Sequence, residues 1–154
     1  MAPSSTFSAA DGDGYELQMA RWSRRLAPLF IQFAGIASGQ RVLDVGCGTG
    51  SLTFELARQT RFDAIQGIDL TPAYIEHARG RVRDPRLEFQ VGDACALPFP
   101  NASFDHCLSM LVLQFIPRPE LAVREMCRVT RPGGTVAAAT WDSRGGLVAY
   151  RIIF

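Results

Sequence analysis

The spacing of apolar and polar positions divides the chain into three parts. Residues 1–14 are rich in Ser, Ala, Gly and Asp and show no apolar period, so they are expected to be disordered. Residues 15–40 are patterned as helix. "DGYE" resembles a capping box, with Asp13 as N-cap and Glu16 three residues on, and predicts a helix through "YELQMARWSRRLA". Pro28 removes an internal hydrogen bond and crowds the preceding turn, so that helix is expected to stop there. A second short helix, "PLFIQFAGI", is expected to begin with Pro28 at its first position.

Residues 41–154 alternate between two periods. "RVLDV" is a short apolar strand. "TGSLTFELARQ" places Leu52 and Leu56 four apart and predicts a helix. "DAIQGIDL" is the next strand. "TPAYIEHARGR" offers Thr71 as N-cap, Pro72 at the first helical position and Gly80 as a stop. "RLEFQV" alternates Leu87, Phe89 and Val91 as a strand does, and "FDHCLSMLV" is a fourth strand. "PELAVREMCRVT" is a helix that Pro132 and the Gly133–Gly134 pair are expected to stop, and "TVAAATW" is a fifth strand. Strands alternating with helices imply an α/β, doubly wound, mostly parallel sheet.

Composition narrows the partners. The 154 residues suit one domain. There are 16 basic and 15 acidic residues, which leaves no electrostatic case for nucleic acid or an anionic membrane surface. Every basic residue is arginine, so no mechanism built on a Schiff-base or phosphate-loop lysine is open. Cys47, Cys95, Cys107 and Cys127 form no C-x-x-C pair and read as reduced, mostly buried small residues; no metal is expected. The first residues lack the basic and apolar regions of a signal peptide, and no apolar run approaches the roughly 18 residues of a membrane span. A cytoplasmic location is expected.

The candidate chemistry starts at "VLDVGCGTG", Val42 to Gly50. In a doubly wound sheet, ligands bind beyond the carboxyl ends of the strands, and the loop after the first strand lies there. Gly46, Gly48 and Gly50 permit positive φ and close backbone approach to a ligand. A dinucleotide fingerprint requires G-x-G-x-x-G or a final Ala, but counting from Gly46 puts Ser51 in the third place. Asp44, two residues before the first glycine, disfavours a pyrophosphate and can face an ammonium. Asp69 ends the second strand 19 residues after Gly50 and can accept both ribose hydroxyls, which suits either ligand class. Asp93 and Ala94, after the third strand, offer an acceptor for an adenine amino group and a backbone donor for a ring nitrogen. Taken singly, each of these acids also reads as a turn or cap residue.

Together, "LDVGCGTG", "GIDL", "GDACALPFPNASFD" and "EMCRVTRPGG" resemble the class I S-adenosylmethionine-dependent methyltransferases, in particular the small-molecule branch related to the ubiquinone and menaquinone C-methyltransferases. The resemblance covers about Arg41 to Trp141. It implies a Rossmann-like sheet of order 3-2-1-4-5, S-adenosyl-L-methionine as cofactor and methyl transfer to a small-molecule acceptor. By position it assigns Asp44 and the backbone of Gly46, Cys47, Gly48, Thr49 and Gly50 to the methionine part. Asp69 falls to the ribose, Leu70 to the adenine face and Asp93 with Ala94 to the adenine edge. Ser109 and Met110 would line the methyl region. Where the family often carries "LHH" this chain has "LQF", which leaves Gln114 and Asp142 as substrate-side candidates.

The helix before the first strand often closes over the cofactor in this branch, which would turn Tyr15, Met19 and Arg21 toward the pocket. The alternative is that Trp22 and Leu26 pack it onto the sheet. Neither His77 nor His106 is placed as a general base, so no catalytic side chain is assigned. The family adds an antiparallel pair of strands where this chain stops at "LVAYRIIF", so truncation after the fifth strand is expected. An open fifth-strand edge lacking Lys, Pro or inward charge would favour a homodimer through that edge or the tail from Gly145 to Phe154. Two other readings stand beside methyl transfer. One is a fragment that binds the cofactor without turnover; the other is an NAD-dependent oxidoreductase.

Overall fold

The computed structural model describes residues 20–142. The expectations for residues 1–14, the Asp13–Glu16 capping box, Tyr15, Met19 and the tail from Gly145 fall outside that range. The elements in order are α1 (Arg21–Ala34), β1 (Ser38–Val45), α2 (Ser51–Gln59), β2 (Arg61–Asp69), α3 (Pro72–Gly80), β3 (Leu87–Val91), β4 (Phe104–Met110), α4 (Pro119–Val129) and β5 (Thr130–Ala139). A short 3-10 turn, Leu113–Phe115, lies between β4 and α4.

All five strands pair in parallel, in the order β3-β2-β1-β4-β5. This is the expected α/β sheet. The alternation of each strand divides the core in two. Val42, Ile65 and Leu108 face one layer with Leu52 and Leu56 of α2, Ile75 of α3 and Phe30 and Ile31 of α1. Leu43, Val45 and Cys107 face the other, with Ala122, Met126 and Val129 of α4. Each fully buried Leu or Ile contributes about 1.5–3 kcal/mol, so the two layers hold the sheet rigid beneath its carboxyl ends.

Expectations at both ends of the sheet region are corrected. Pro28 does not divide two helices; it lies inside the single helix α1. Ser23, Ala27, Phe30 and Ile31 make one continuous buried face across the proline, and that burial outweighs the lost hydrogen bond. It is also this face, and not Trp22, that packs α1 down, since Trp22 is 47% exposed. Gly35, with φ 66°, ends the helix and donates to the Gln32 carbonyl.

The second correction concerns the last strand. α4 stops at Val129, and β5 begins at once with Thr130, so Pro132 and Gly133 lie within the strand. Phe104 pairs with Thr130 but His106 pairs with Thr135, so the extra residues form a bulge in β5. Arg131 and Pro132 therefore belong to the edge strand, contrary to an edge free of such residues. A proline is tolerated there because an edge or bulge position needs no donor. Strand β1 also starts early, at Ser38 opposite Arg61, inside the segment read as the amino-terminal helix region.

Candidate functional site

The glycine loop leaves β1 at Val45 and enters α2 at Ser51. Gly46, Gly48 and Gly50 have φ of 73°, 54° and 94°, values that side-chain-bearing residues rarely adopt. At Gly46 a second constraint applies, because a Cβ there would run into the side chain of Val112. The loop is tied to the next strand. The N–H groups of Gly46 and Cys47 donate to the Ile68 carbonyl at 2.8 and 3.0 Å. The carboxylate of Asp69 accepts from the Gly48 N–H and from the Thr71 N–H, each at 2.9 Å. Thr71 holds the N-cap position of α3, but its side chain makes no capping bond.

Asp69 is thus already a backbone brace. The Thr71 side chain and the Leu70 backbone also interact with this carboxylate. Burial raises its pKa above the usual carboxylate value, against the backbone donors that lower it.

Asp44 is deeper. It is 1% exposed and accepts a 2.6 Å hydrogen bond from the Thr53 hydroxyl of α2. Burial pushes its pKa up to about 7; Thr53 opposes the shift and the charge of Asp69 adds to it. Asp44, Gly46, Cys47 and Met110 line a small cleft, together with Ser51 and Leu52 of α2 and Ser23 of α1. The Cys47 thiol is buried, and its pKa lies well above normal through burial and the two aspartates, so it is no thiolate nucleophile.

The other predicted residues spread around the strand ends. Thr49 is 1% exposed within the loop. Leu70 stands 40% exposed just past β2. Asp93 accepts from the Cys95 N–H at 2.8 Å, so it shapes its own turn, and Ala94 packs partly against the α4-side core. Met110 lines the cleft. Ser109 is fully buried on the opposite sheet face, with its hydroxyl unpartnered. Gln114 is exposed and donates to the Leu111 carbonyl at 2.6 Å. Asp142 is exposed beyond β5. Arg21 is exposed too, its guanidinium lying over Trp22, so α1 meets the cleft through Ser23 instead.

Sequence reasoning passed over several supports. Thr53 holds Asp44, and Val112 backs the glycine loop. The loop after β3 is anchored by α4. Glu125 accepts from the Leu97 N–H at 2.8 Å, while Arg128 donates to the Leu97 and Phe99 carbonyls at 3.0 and 2.8 Å. The only signal for that brace was the (i, i+3) Glu125–Arg128 pair within "EMCRV". His106 sits at the amino end of β4 and His77 on α3, both away from the strand carboxyl ends. Among the described residues no group of three His, Cys, Asp or Glu is arranged to hold a metal.

A family profile described as a methyltransferase domain matches residues 43–138. The chain belongs to the class I S-adenosylmethionine-dependent methyltransferase family. This methyltransferase domain is 35% identical over 133 residues to the methyltransferase GfsG of Streptomyces halstedii, covering 84% of this chain and 48% of that protein. The domain therefore spans about half the length of such curated relatives. Among solved structures, it is similar to the [4+2]-cyclase SpnF, with TM-score 0.68 and 34% identity over 75% of this chain and 43% of that one. A candidate S-adenosyl-L-methionine-dependent methyltransferase of Methanococcus maripaludis shares the fold, with TM-score 0.73 and 23% identity over 90% of this chain and 68% of that one.

Proposed function

We propose that the cleft beside the glycine loop holds S-adenosyl-L-methionine and that the domain serves methyl transfer to a small-molecule acceptor. The observation that carries this reading is Asp44, a buried carboxyl that lines the cleft beside Gly46 and Met110. A carboxyl group buried in the cleft wall makes the site hostile to a pyrophosphate and favours a ligand that brings a cation. A ligand with an ammonium and a sulfonium suits that field; a dinucleotide does not. Asp44 would face the methionine ammonium. Asp69 would take the ribose hydroxyls, the exposed Leu70 the adenine face, and Asp93 with Ala94 the adenine edge.

The bound cofactor supplies an electrophilic methyl on a sulfonium whose leaving group is a neutral thioether. What the chain must add is alignment at near-attack distance and exclusion of water. Met110 supplies an apolar wall to the cleft for that purpose. No side chain is assigned as base. The acceptor side is open at Gln114 and Asp142, which stand beyond the ends of β4 and β5. We place the domain in the cytoplasm; among the described residues no helix is long and apolar enough to cross a membrane. We also propose that two copies pair along the edge of β5 that is unpaired among the described residues.

A second reading is favoured by the likeness to SpnF, described as a [4+2]-cyclase. In it, the domain binds the cofactor without transferring its methyl group. Calorimetric titration with S-adenosylhomocysteine and with NADH tests the binding, and a tritiated-methyl screen over phenols, quinols and amines tests the transfer. Binding of the first ligand alone, with labelled product, is expected. Preferential binding of NADH would overturn the cofactor assignment, and binding without product across the screen would favour the second reading.

A further inference from the structure

Strand β4 leaves the sheet through an unusual residue. Leu111, directly after Met110, has φ 62°, in the left-handed region that Leu rarely enters. It is only 7% exposed, so its side chain is fixed in the core. Its N–H donates to the Ala139 carbonyl of β5 at 2.7 Å. Its carbonyl accepts from the side-chain amide of Gln114 at 2.6 Å. Gln114 itself lies on the exposed side of the 3-10 turn, yet it folds back three residues to make this bond.

The consequences reach the glycine loop from both sides of the turn. Met110, one residue before, lines the cleft with Asp44. Val112, one residue after, stands where a Cβ on Gly46 would be. The left-handed step at Leu111 allows both placements, because it reverses the chain between them. Strained backbone of this kind persists only where its surroundings over-determine it, and it is concentrated at functional sites.

We propose that Gln114 is a positioning residue of the cofactor site. Its amide pins the Leu111 carbonyl, holds the left-handed turn, and so keeps Met110 in the cleft wall and Val112 against Gly46. The role rests on reading the cleft as a cofactor site. It differs from a contact between Gln114 and the acceptor, which would not depend on the backbone of residue 111.

A double-mutant cycle separates the two roles. Glycine adopts φ 62° without strain, so in a Leu111→Gly background the pin has nothing to hold. Gln114→Ala alone is expected to weaken S-adenosylhomocysteine binding about three- to tenfold, the scale of one neutral hydrogen bond. In the Leu111→Gly background the same change should cost less than about twofold. In the ligand-free protein, Gln114→Ala should speed hydrogen exchange of the Leu111 amide by a similar about three- to tenfold factor, with the unfolding midpoint held near that of the parent. If Leu111→Gly empties too much of the core to fold, the Leu111 amide exchange of Gln114→Ala in the otherwise unchanged chain decides by itself whether Gln114 holds the turn. Equal loss in both backgrounds, or an unchanged Leu111 amide, would overturn the proposal. Should the parent chain fail to bind S-adenosylhomocysteine, the cofactor reading falls by itself, and the exchange rate still decides whether Gln114 holds the turn.

Discussion

The hydroxyl of Thr53 donates a 2.6 Å hydrogen bond to the carboxylate of Asp44, and both residues are excluded from solvent. This bond joins the first turn of α2 to the last residues of β1, directly beneath the glycine loop. It gives the buried acid a fixed orientation before any ligand arrives. Removing the hydroxyl with Thr53→Val keeps the shape and the backbone donor of residue 53 but deletes one hydrogen bond to the buried carboxylate, so the domain should lose about 1–3 kcal/mol of stability. The pKa of Asp44 should rise further, because one of the interactions that lowers it is gone. Denaturant unfolding and carbon-detected NMR titration of the carboxyl group measure the two effects. An unchanged Asp44 titration would show that the Thr53 hydroxyl does not help set it.

Asp44 also fixes a pH dependence. Its folded-state pKa is raised, to about 7, above the ordinary value of 3.8. Between those two values the native state binds more protons than the unfolded state, so stability falls as pH rises through that window. A tenfold difference in proton affinity is worth about 1.4 kcal/mol, so the total is on the order of a few kcal/mol. Asp44→Asn should remove this component. The variant should be more stable than the parent at pH 8, match it more closely at pH 4, and bind S-adenosylhomocysteine poorly. Chemical denaturation at the two pH values checks the first pair of outcomes. Parallel stability curves for the two proteins would contradict a raised pKa.

Asp69 is expected to act both on ligand and on loop. Asp69→Ala should weaken cofactor binding by about 2–3 kcal/mol, the scale of losing charge-assisted hydrogen bonds. Because Asp69 accepts from the Gly48 N–H, the Gly48 amide should also exchange faster in the ligand-free variant. A folded variant with unchanged affinity would show that the ribose is held elsewhere.

Gly46→Ala should be severe for two separable reasons. Its φ of 73° costs an L residue about 1–2 kcal/mol. The added methyl also meets Val112, and overpacking of this kind costs about 1–3 kcal/mol. Adding Val112→Ala should recover the second part and not the first. Thermal unfolding of the three variants tests this; full recovery by Val112→Ala would mean that backbone strain at Gly46 is negligible.

The proposed pairing along β5 makes an assembly prediction. Among the described residues β5 is hydrogen-bonded on one side only, to β4, and Val136 is 37% exposed. Arg131 and Pro132 protect the start of the edge, and the stretch from Thr135 to Ala139 lacks such protection. Light scattering should show a dimer at high micromolar concentration. A clean monomer with fast hydrogen exchange across residues 135–141 would rule this out.

The chain's own pattern was enough for the layer architecture. Apolar alternation in "RLEFQV" and the four-residue spacing of Leu52 and Leu56 report a local period, and local period decides strand or helix. The positions of Asp44, Asp69 and Asp93 at strand ends were legible for the same reason. A ligand loop in such a sheet must follow a strand, and glycines cannot be hidden. Boundaries were less legible at Pro28 and at Pro132. There the local penalty of proline is real, but a buried helix face in one case and a bulged edge in the other absorb it.

By itself, then, the sequence determined the succession of elements, the parallel sheet and the set of acids around the glycine loop, because all of these follow from short-range spacing. Only the tertiary structure decided what holds those acids. Thr53 reaches Asp44 across 9 residues, Gly48 donates to Asp69 across 21, and Glu125 supports Leu97 across 28. It also decided that Val112 stands against Gly46 and that Ser23 lines the cleft in place of Arg21. Such contacts depend on how separate elements cross in space. No periodicity along the chain encodes a crossing, so neither the raised pKa of Asp44 nor the pinned turn at Leu111 could be read before the fold was in hand.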